Sequence, residues 1–268
     1  MGIKLIAEIG WNHVGDMDIA KRMIDAAKES GADYAKFQTW SVSRLRPGPW
    51  DTDGRREIYE KAELTPEKHE ILYKHCQEVG IKFLTSIFDA RDIKMVRKFT
   101  NEVKIASTEI ANEILLDRVT SIFDHVYVSL GASYPKEYIK HLDKPNITFM
   151  HCVSSYPCEY SDVNFNKFLW LKDKVKDATY QIGYSGHAIG IWDAIQAISL
   201  GATVVEKHFT IDHELPGRDN KFAILPNEFK MIREFSDKKD LMMIDRGLLP
   251  QKCEYNYLTN QKHRWSSK

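Results

Sequence analysis

The sequence predicts a single (β/α)8 barrel, that is, a TIM barrel of the α/β class, and three observations support this fold class. Eight short, apolar, β-prone runs recur from end to end of the 268-residue chain. Segments of amphipathic-helix length separate these runs, and no linker or low-complexity stretch divides them. Strands this apolar need cover on both faces, as in parallel sheets flanked by helices. Eight repeats favour a closed barrel over a doubly wound sheet, which usually has about five or six strands.

The predicted strands are short runs rich in apolar and β-branched residues. They span residues 4–9, 34–37, 82–85, 103–105, 125–129, 147–151, 180–184 and 203–207. Because the carboxyl ends of the strands of such a barrel face one side, polar residues at those ends are the first candidates for chemistry.

Helical spacing and end signals predict the segments between the strands. In the first helix, residues 18–30, apolar side chains recur at Ile19, Met23, Ile24 and Ala27. A second helix, residues 66–79, begins after Thr65 with a proline in its first position and ends at a glycine. Further helices are predicted over residues 188–200 and 227–235.

Two segments lie outside this alternation. Residues 39–64 form a long insertion after the second strand, and we expect either a lid over the substrate or a surface excursion. We assign residues 1–245 to the barrel and 246–268 to an aromatic, basic tail that packs on the barrel or on a partner subunit. The residues that mark these two segments are Arg44, Arg46, Trp50, Arg55, Arg56, Tyr255, Tyr257 and Trp265.

Composition excludes several classes of function. The chain has 38 Lys plus Arg and 38 Asp plus Glu, so no overall field attracts nucleic acid or an anionic membrane. No apolar run of about 18 residues would span a bilayer, and the N-terminus enters a strand without a signal-peptide pattern. We therefore expect a cytoplasmic protein. Its four cysteines show no paired short spacing, so we expect reduced thiols.

Two histidines point to a metal site. His187 follows the seventh strand and His208 ends the eighth, with one helix-length segment between them. Neighbouring parallel strands lie about 4.8 Å apart and end on the same side, so the two imidazoles can meet over one divalent ion. Two protein ligands would leave positions open for water and substrate. The alternative is that each histidine is an ordinary hydrogen-bonded residue.

Other polar residues at the strand ends form a coherent set. Buried lysines are costly unless an anion lies beside them, so Lys36 and Lys104 suggest a bound phosphate or carboxylate, with hydroxyls as further donors. Glu8 and Glu109 are candidates for proton transfer, although each could simply pair with a lysine. Asp219, in a turn-rich loop after the last strand, could accept hydrogen bonds from a polyol. The remaining strand-end residues are Gln38, Thr85, Ser107, Ser129, Ser154, Tyr156 and Ser185.

Several strings together resemble the barrel domain of the N-acetylneuraminate (sialic acid) synthase family, and the resemblance covers almost the whole chain. They are I-A-E-I-G-W-N-H-V-G-D, G-A-D-Y-A-K-F-Q-T, K-I-A-S-T-E, G-Y-S-G-H, E-K-H-F-T-I-D and P-G-R-D-N-K. The resemblance implies a metal-dependent condensation of phosphoenolpyruvate with the aldehyde of an N-acetylhexosamine-like sugar. The products would be a 2-keto-3-deoxy sugar acid and phosphate.

The resemblance also implies residue roles. His187 and His208 would bind Mn²⁺ or Mg²⁺, and Glu8 would serve as acid/base or orient water. Phosphoenolpyruvate would be held by Lys36, Thr85, Lys104, Ser107, Ser129 and Ser185. The sugar and the metal-bound water would be lined by Glu8, Gln38, Glu109, Tyr156 and Asp219. Lys36 and Glu109 join Glu8 as expected catalytic residues, and Ser154 is expected to contact substrate.

Three departures from the family pattern affect these expectations. Gly186 stands where the family usually has an acidic residue, and Ser154 stands where it has an asparagine. The family's C-terminal antifreeze-like domain, which donates an acceptor-binding arginine from a partner subunit, has no counterpart here. We expect a homodimer, with a different acceptor, a separate acceptor-domain protein, or the insertion and tail covering the site. Two alternatives stay open, a synthase for a different or phosphorylated aldose and a non-catalytic barrel subunit of a polysaccharide-assembly complex.

Overall fold

The computed structural model describes residues 2–141, 144–175, 182–262 and 265, and it confirms the predicted barrel. Eight parallel strands pair in chain order, and the first also pairs with the eighth, so the sheet is closed. The strands are β1 (Lys4–Gly10), β2 (Tyr34–Thr39), β3 (Lys82–Ile87), β4 (Glu102–Ile105), β5 (His125–Ser129), β6 (Ile147–Cys152), β7 (Ile182–Gly186) and β8 (Val204–His208). Residues 180 and 181 of the predicted seventh strand lie outside the described residues.

Helices follow every strand and form the outer layer. They are α1 (Met17–Glu29), α2 (Arg55–Ala62), α3 (Pro66–Val79), α4 (Ile93–Val96), α5 (Glu113–Ile122), α6 (Pro135–Tyr138), α7 (Phe165–Lys174), α8 (Trp192–Ser199), α9 (Pro226–Met242) and α10 (Tyr255–Asn260). The predicted bounds of α3 agree with the structure because its end signals are strong. Thr65 accepts a hydrogen bond from the amide of Lys68, and Gly80 ends the helix in the left-handed conformation.

Two predicted helix ends were wrong. The predicted helix 188–200 begins only at Trp192, because the residues before it form a loop in which Ala188 pairs with Cys158. The predicted helix 227–235 continues to Met242, beyond the last buried positions of its apolar face.

Apolar side chains fill the molecule in two layers. The larger cluster lies between the sheet and the helices. The smaller cluster fills the inside of the barrel, and its members are Ile6, Tyr34, Leu84, Tyr127, Met150 and Val204. This inner plug lies between a polar layer at the amino ends of the strands and the charged residues at the carboxyl ends. It therefore removes water from beneath the charged layer.

The insertion after β2 packs over the carboxyl end of the barrel. The ring of Tyr59, on α2, stacks on Trp11 with centroids 4.9 Å apart, and Trp40 meets both rings edge-on. Farther round the rim, Arg44 donates to both carboxylate oxygens of Asp92 at 2.7 Å. These contacts agree with the expectation that the insertion forms a lid over the carboxyl end of the barrel, rather than a surface excursion.

The tail is exposed over its described length. Leu248 is fully exposed, and the side chains of Tyr257 and Trp265 are 69% and 88% exposed. Packing of this tail on the barrel or on a partner subunit stays a prediction. Within the described residues, no helix combines the length and the apolar composition needed to cross a membrane. All four cysteines are free thiols, as the sequence predicts.

Candidate functional site

The inward-facing side chains at the carboxyl ends of the strands form one charged layer above the apolar plug. Successive side chains of a strand point to opposite faces, so the register of β1, β2 and β8 determines which residues meet. Glu8 lies opposite Lys36 on β2 and opposite His208 on β8. The members of the layer that bond to each other are Glu8, Lys36, Gln38, Ser86, Lys104, Ser185 and Glu206.

An alternating chain of carboxylates and ammonium groups runs through this layer. The Nζ of Lys36 lies 2.6 Å from Oε2 of Glu8 and 3.6 Å from Oε1 of Glu206. Lys104 donates to both oxygens of Glu206, at 2.8 and 2.9 Å. Two positive and two negative side chains, all almost fully buried, thus balance each other. Both lysines already have carboxylate partners, as the alternative interpretation of the sequence anticipated.

Burial acts differently on the two carboxyl groups. Desolvation raises the pKa of Glu8 and the nearby negative charge of Glu206 adds to it, although Lys36 opposes both. Desolvation also acts on Glu206, but Lys104 and Lys36 outweigh it and lower its pKa to about 2. Glu8 is therefore the carboxyl group of the pair that takes up a proton more readily. Its protonation would leave the layer with a net positive charge.

Hydroxyl and amide groups complete the layer. Gln38 donates to Oε1 of Glu8 at 2.6 Å, and Ser185 donates to Glu206 at 3.2 Å. The hydroxyl of Ser129 is buried and finds no hydrogen-bond partner among the described residues. A buried hydroxyl without a partner is costly, so Ser129 is available to a ligand.

Ser107 and Ser154 form a hydroxyl pair beside this layer, with their oxygens 2.8 Å apart. Gly131 allows this close approach, because a Cβ on it would lie 2.2 Å from the Ser154 oxygen. The structure therefore brings Ser154, which stands where the resemblance expects an asparagine, into contact with another predicted substrate-binding residue.

His187 and His208 meet at the mouth of the barrel, with ring centroids 5.4 Å apart. The Nδ1 of His187 donates to the carbonyl of Val153 at 2.6 Å, which leaves Nε2 with a free lone pair. The Nδ1 of His208 is buried and finds no hydrogen-bond partner among the described residues. Burial lowers the pKa of both imidazoles to about 3, so both are neutral at physiological pH.

These properties fit a divalent metal ion. Neutral imidazole nitrogen is a good ligand for divalent transition metals, and the two neutral rings lie next to each other with centroids 5.4 Å apart. Asp219 lies close by, with an oxygen 3.8 Å from Nδ1 of His208. Within the described part of the chain, no group of three or more His, Cys, Asp or Glu side chains has the arrangement of a metal site. Two imidazoles would thus leave several positions for oxygen ligands from water and substrate.

The mouth above the histidines is lined by aromatic and polar side chains. Tyr156 packs on His187 with ring centroids 4.0 Å apart. Asp219 accepts a hydrogen bond from the indole of Trp11 at 2.5 Å. The guanidinium of Arg218 lies 5.6 Å from the centre of the Tyr156 ring, and its side chain is half exposed. Aromatic faces next to charged hydrogen-bonding groups are suited to a sugar.

Two predicted site residues are not brought into this cluster. The hydroxyl of Thr85 contacts Thr39, 2.7 Å away, and Thr39 contacts His69 of α3, so Thr85 faces the helices. Its neighbour Ser86 takes the inward position and accepts from Lys36 at 3.1 Å. Glu109 lies on the rim, half buried, where it accepts a hydrogen bond from Asn112 at 3.3 Å.

Sequence reasoning missed Glu206 as a member of the charged layer, and of the two hydroxyl residues at the end of β3 it chose Thr85 rather than Ser86. The signal that would have found them is the alternation of a strand. Glu206 is two residues before His208, and Ser86 aligns with Gln38 in the register of β2 and β3. Each therefore shares the inward face with a residue that the sequence did single out.

Comparisons with known proteins converge on one family. A model described as the NeuB family matches residues 23–243. An N,N'-diacetyllegionaminic acid synthase of Campylobacter jejuni is 32% identical over 85% of this chain and 73% of its own length. A pseudaminic acid synthase of the same species is 31% identical over 84% of this chain and 70% of its own length.

A solved structure gives the same result. The crystal structure of an N-acetylneuraminic acid (sialic acid) synthetase from Leptospira borgpetersenii, in complex with citrate, superposes with a TM-score of 0.83. The two chains are 28% identical, and the superposition covers 98% of this chain and 93% of that one.

Proposed function

The chain belongs to the NeuB family and is a transferase-type synthase, and from this premise we propose that it joins phosphoenolpyruvate to the aldehyde of an N-acetylhexosamine-like sugar. The products are a sialic-acid-like 2-keto-3-deoxy sugar acid and inorganic phosphate. The observation that supports this proposal is the pair of neutral histidines at the mouth of a buried layer that contains two lysines and an unpartnered hydroxyl.

Phosphoenolpyruvate binds in the charged layer. Lys36 and Lys104 supply positive charge, and the hydroxyls of Ser129 and Ser185, with the Ser107–Ser154 pair, donate to carboxylate and phosphate oxygens. The positive and negative charges of the layer balance before the substrate binds. A ligand with two or more negative charges, such as phosphoenolpyruvate, therefore favours protonation of Glu8. A protonated Glu8 releases Lys36 from its closest partner and turns that lysine toward the ligand.

The acceptor sugar lies above this layer, next to the histidines. His187 and His208 would hold Mn²⁺ or Mg²⁺, and such an ion would supply Lewis-acid polarisation of the acceptor aldehyde. Tyr156 and Asp219 line the sugar, and Gln38 orients the carboxyl group of Glu8. Glu109 lies farther out, so we propose rim contact with the sugar for it, with no role in the reaction itself.

The reaction divides into three steps. The enol carbon of phosphoenolpyruvate forms a bond to the aldehyde carbon, water adds to the resulting oxocarbenium carbon, and the tetrahedral hemiketal phosphate loses phosphate by C–O cleavage. Glu8, protonated when phosphoenolpyruvate binds, gives its proton to the aldehyde oxygen as the carbon–carbon bond forms, and the resulting carboxylate then takes a proton from the added water. The hydroxyl proton of the hemiketal leaves with the phosphate. Lys36 and Lys104 hold the phosphate, and their fixed charge stabilises the transition states.

The acceptor's amide group contacts Arg218. This guanidinium lies over Tyr156, and its Nε is 3.3 Å from Asp219. Together with Tyr59 of the insertion, it can serve an acceptor without a residue from a second protein. The proposal includes a cytoplasmic location and a homodimer, and a separate acceptor-domain protein stays the alternative to Arg218. The free thiols suit a reducing compartment.

A phosphate-release assay tests the function. The enzyme is incubated with phosphoenolpyruvate and Mn²⁺ against a panel of aldoses, N-acetylhexosamines and their phosphates. Release with an unphosphorylated N-acetylhexosamine supports the proposal, and release only with a phosphorylated aldose would support the first alternative. Absence of release with every acceptor would support the non-catalytic barrel.

A further inference from the structure

Gly186 ends β7 directly before His187, and the resemblance places an acidic residue at this position in the family. The side chains of Ser185 and His187 lie inside the barrel, so a side chain at position 186 would point outward, toward the helices. A Cβ built on Gly186 would lie 2.4 Å from Oδ2 of Asp193 and 2.6 Å from the ring of Tyr184. Real Cβ atoms do not approach other atoms this closely. Asp193 therefore occupies the space that a side chain at position 186 would need.

Asp193 lies in the first turn of α8 and is 2% exposed. Lys207 donates to its two carboxylate oxygens at 3.0 and 2.9 Å, and the Tyr184 hydroxyl donates at 3.0 Å. Lys207 is also 2% exposed, and a buried ammonium needs a paired carboxylate. The third contact of Lys207 is the carbonyl of Ala188, at 2.6 Å.

These contacts connect the two histidine-bearing segments. Lys207 directly precedes His208 in β8, and Ala188 directly follows His187 after β7. One ammonium group, neutralised by Asp193, thus ties the backbone beside one imidazole to the strand that carries the other. Removal of the carboxylate would leave the buried charge of Lys207 unpaired. The connection between the two histidine-bearing segments would then weaken.

We propose that Asp193 takes from α8 the place that an acidic side chain at position 186 would fill, and that it is a positioning residue for His187 through Lys207 and Ala188. The positioning part rests on the proposed function, because it assumes that His187 binds a metal ion. The other part, that the Asp193 carboxylate replaces a carboxylate at position 186, does not depend on that assumption.

The test compares Asp193→Asn, Gly186→Asp and the double variant Gly186→Asp/Asp193→Ala with the parent protein. Glu113→Ala is the control, since it removes an exposed carboxylate from the first turn of α5. The readouts are the urea midpoint of unfolding and the Kd of Mn²⁺ for the metal-free protein, measured by electron paramagnetic resonance.

We expect each single variant to lower the urea midpoint and Asp193→Asn to raise the Mn²⁺ Kd about 10- to 100-fold, as is usual when an outer-shell partner is lost. The double variant should restore the midpoint and bring the Kd to within about threefold of the parent's, and Glu113→Ala should change neither. If a single variant fails to fold, recovery of folding in the double variant supports the exchange.

Two outcomes would overturn the inference. A double variant no more stable than the single variants would exclude the carboxylate exchange. A folded Asp193→Asn with an unchanged Mn²⁺ Kd would exclude the positioning role. If the parent protein itself bound no Mn²⁺, the proposed metal site and the positioning role would both be wrong, whereas the exchange would still be decided by the urea midpoints.

Discussion

At the scale of single residues, the charged layer behaves as one unit because ion pairs and hydrogen bonds join its members. The layer holds two lysines and two carboxylates in a space closed from below by apolar side chains. The carboxyl group with the raised pKa, Glu8, is the one whose charge a bound anion changes most readily.

We predict that phosphoenolpyruvate binding takes up a proton at Glu8. Negative charge from the ligand raises the pKa of Glu8 further, so uptake should approach about one proton at a pH between the pKa values of the free and the bound protein, and it should fall above the pKa of the bound protein. Calorimetric titrations in buffers of different ionisation enthalpy measure this number. Glu8→Gln should reduce it to near zero, whereas Glu113→Ala should not alter it. Equal uptake by the Glu8→Gln variant would assign the proton elsewhere.

We predict that His208→Ala abolishes turnover and Mn²⁺ binding while the fold is kept. The side chain is buried at the carboxyl end of β8 but lies outside both apolar clusters, so its removal leaves the packing of the core unchanged. Metal content and circular dichroism of the purified variant measure the two effects. Glu113→Ala, which removes an exposed carboxylate from the first turn of α5, is the control. Normal metal content in the His208→Ala variant would exclude the proposed metal site.

Most of the site residues could be predicted because the ends of the strands converge in a barrel. The sequence did not show which residues at those ends face the inside of the barrel. Thr85 and Ser86 are adjacent hydroxyl residues at the end of a strand, and only the register with β2 shows that Ser86 faces inward. Glu206 was overlooked for a similar reason, since its neighbours Lys207 and His208 carried the recognisable pattern. Asp193 is distant in sequence from any strand end, so no local signal could have placed it.

At the scale of elements, the end signals of the chain determined which predictions were accurate. The strong cap and terminal glycine of α3 gave its bounds, whereas α8 has no side-chain cap and its predicted start was wrong by four residues. The insertion carries no periodic signal over most of its length. Its position on the barrel depends on long-range ring contacts between Tyr59, Trp11 and Trp40.

We predict that Tyr59→Ala raises the KM of the acceptor sugar and leaves the KM of phosphoenolpyruvate nearly unchanged. The stack on Trp11 holds α2 over the sugar side of the mouth, and such an aromatic pair contributes about 0.5–1.5 kcal/mol. The acceptor KM should therefore rise roughly 2- to 12-fold. Initial rates with each substrate varied in turn measure the split, and Tyr257→Ala in the exposed tail is the control. An equal rise in both KM values would indicate a general loss of structure.

At the scale of the whole molecule, the closed sheet was predictable from the count and apolarity of its strands, and the order of its pairs follows from chain order. Burial of polar groups was less predictable. Several histidines lie inside the protein without titrating near neutral pH, and burial lowers the pKa of His13 and His151 to about 4.

These depressed values make a prediction about acid stability. A histidine with a pKa of 6.5 when unfolded and about 4 when folded stabilises the protein above pH 6.5, and this contribution is lost as the pH falls from 6.5 to 4. Each such group adds up to about 1.4 kcal/mol per pH unit to the slope. His151→Gln should reduce the slope of the unfolding free energy between pH 4.5 and 6 by about that amount. A slope unaltered in the His151→Gln variant would contradict the prediction.

The apolar plug inside the barrel has a consequence for the sequence of events in turnover. A barrel that is closed below the charged layer has a single entrance, so the ligand that binds deepest must bind first and leave last. Phosphoenolpyruvate would load before the sugar closes over it, and free phosphate would remain trapped until the new sugar acid has left.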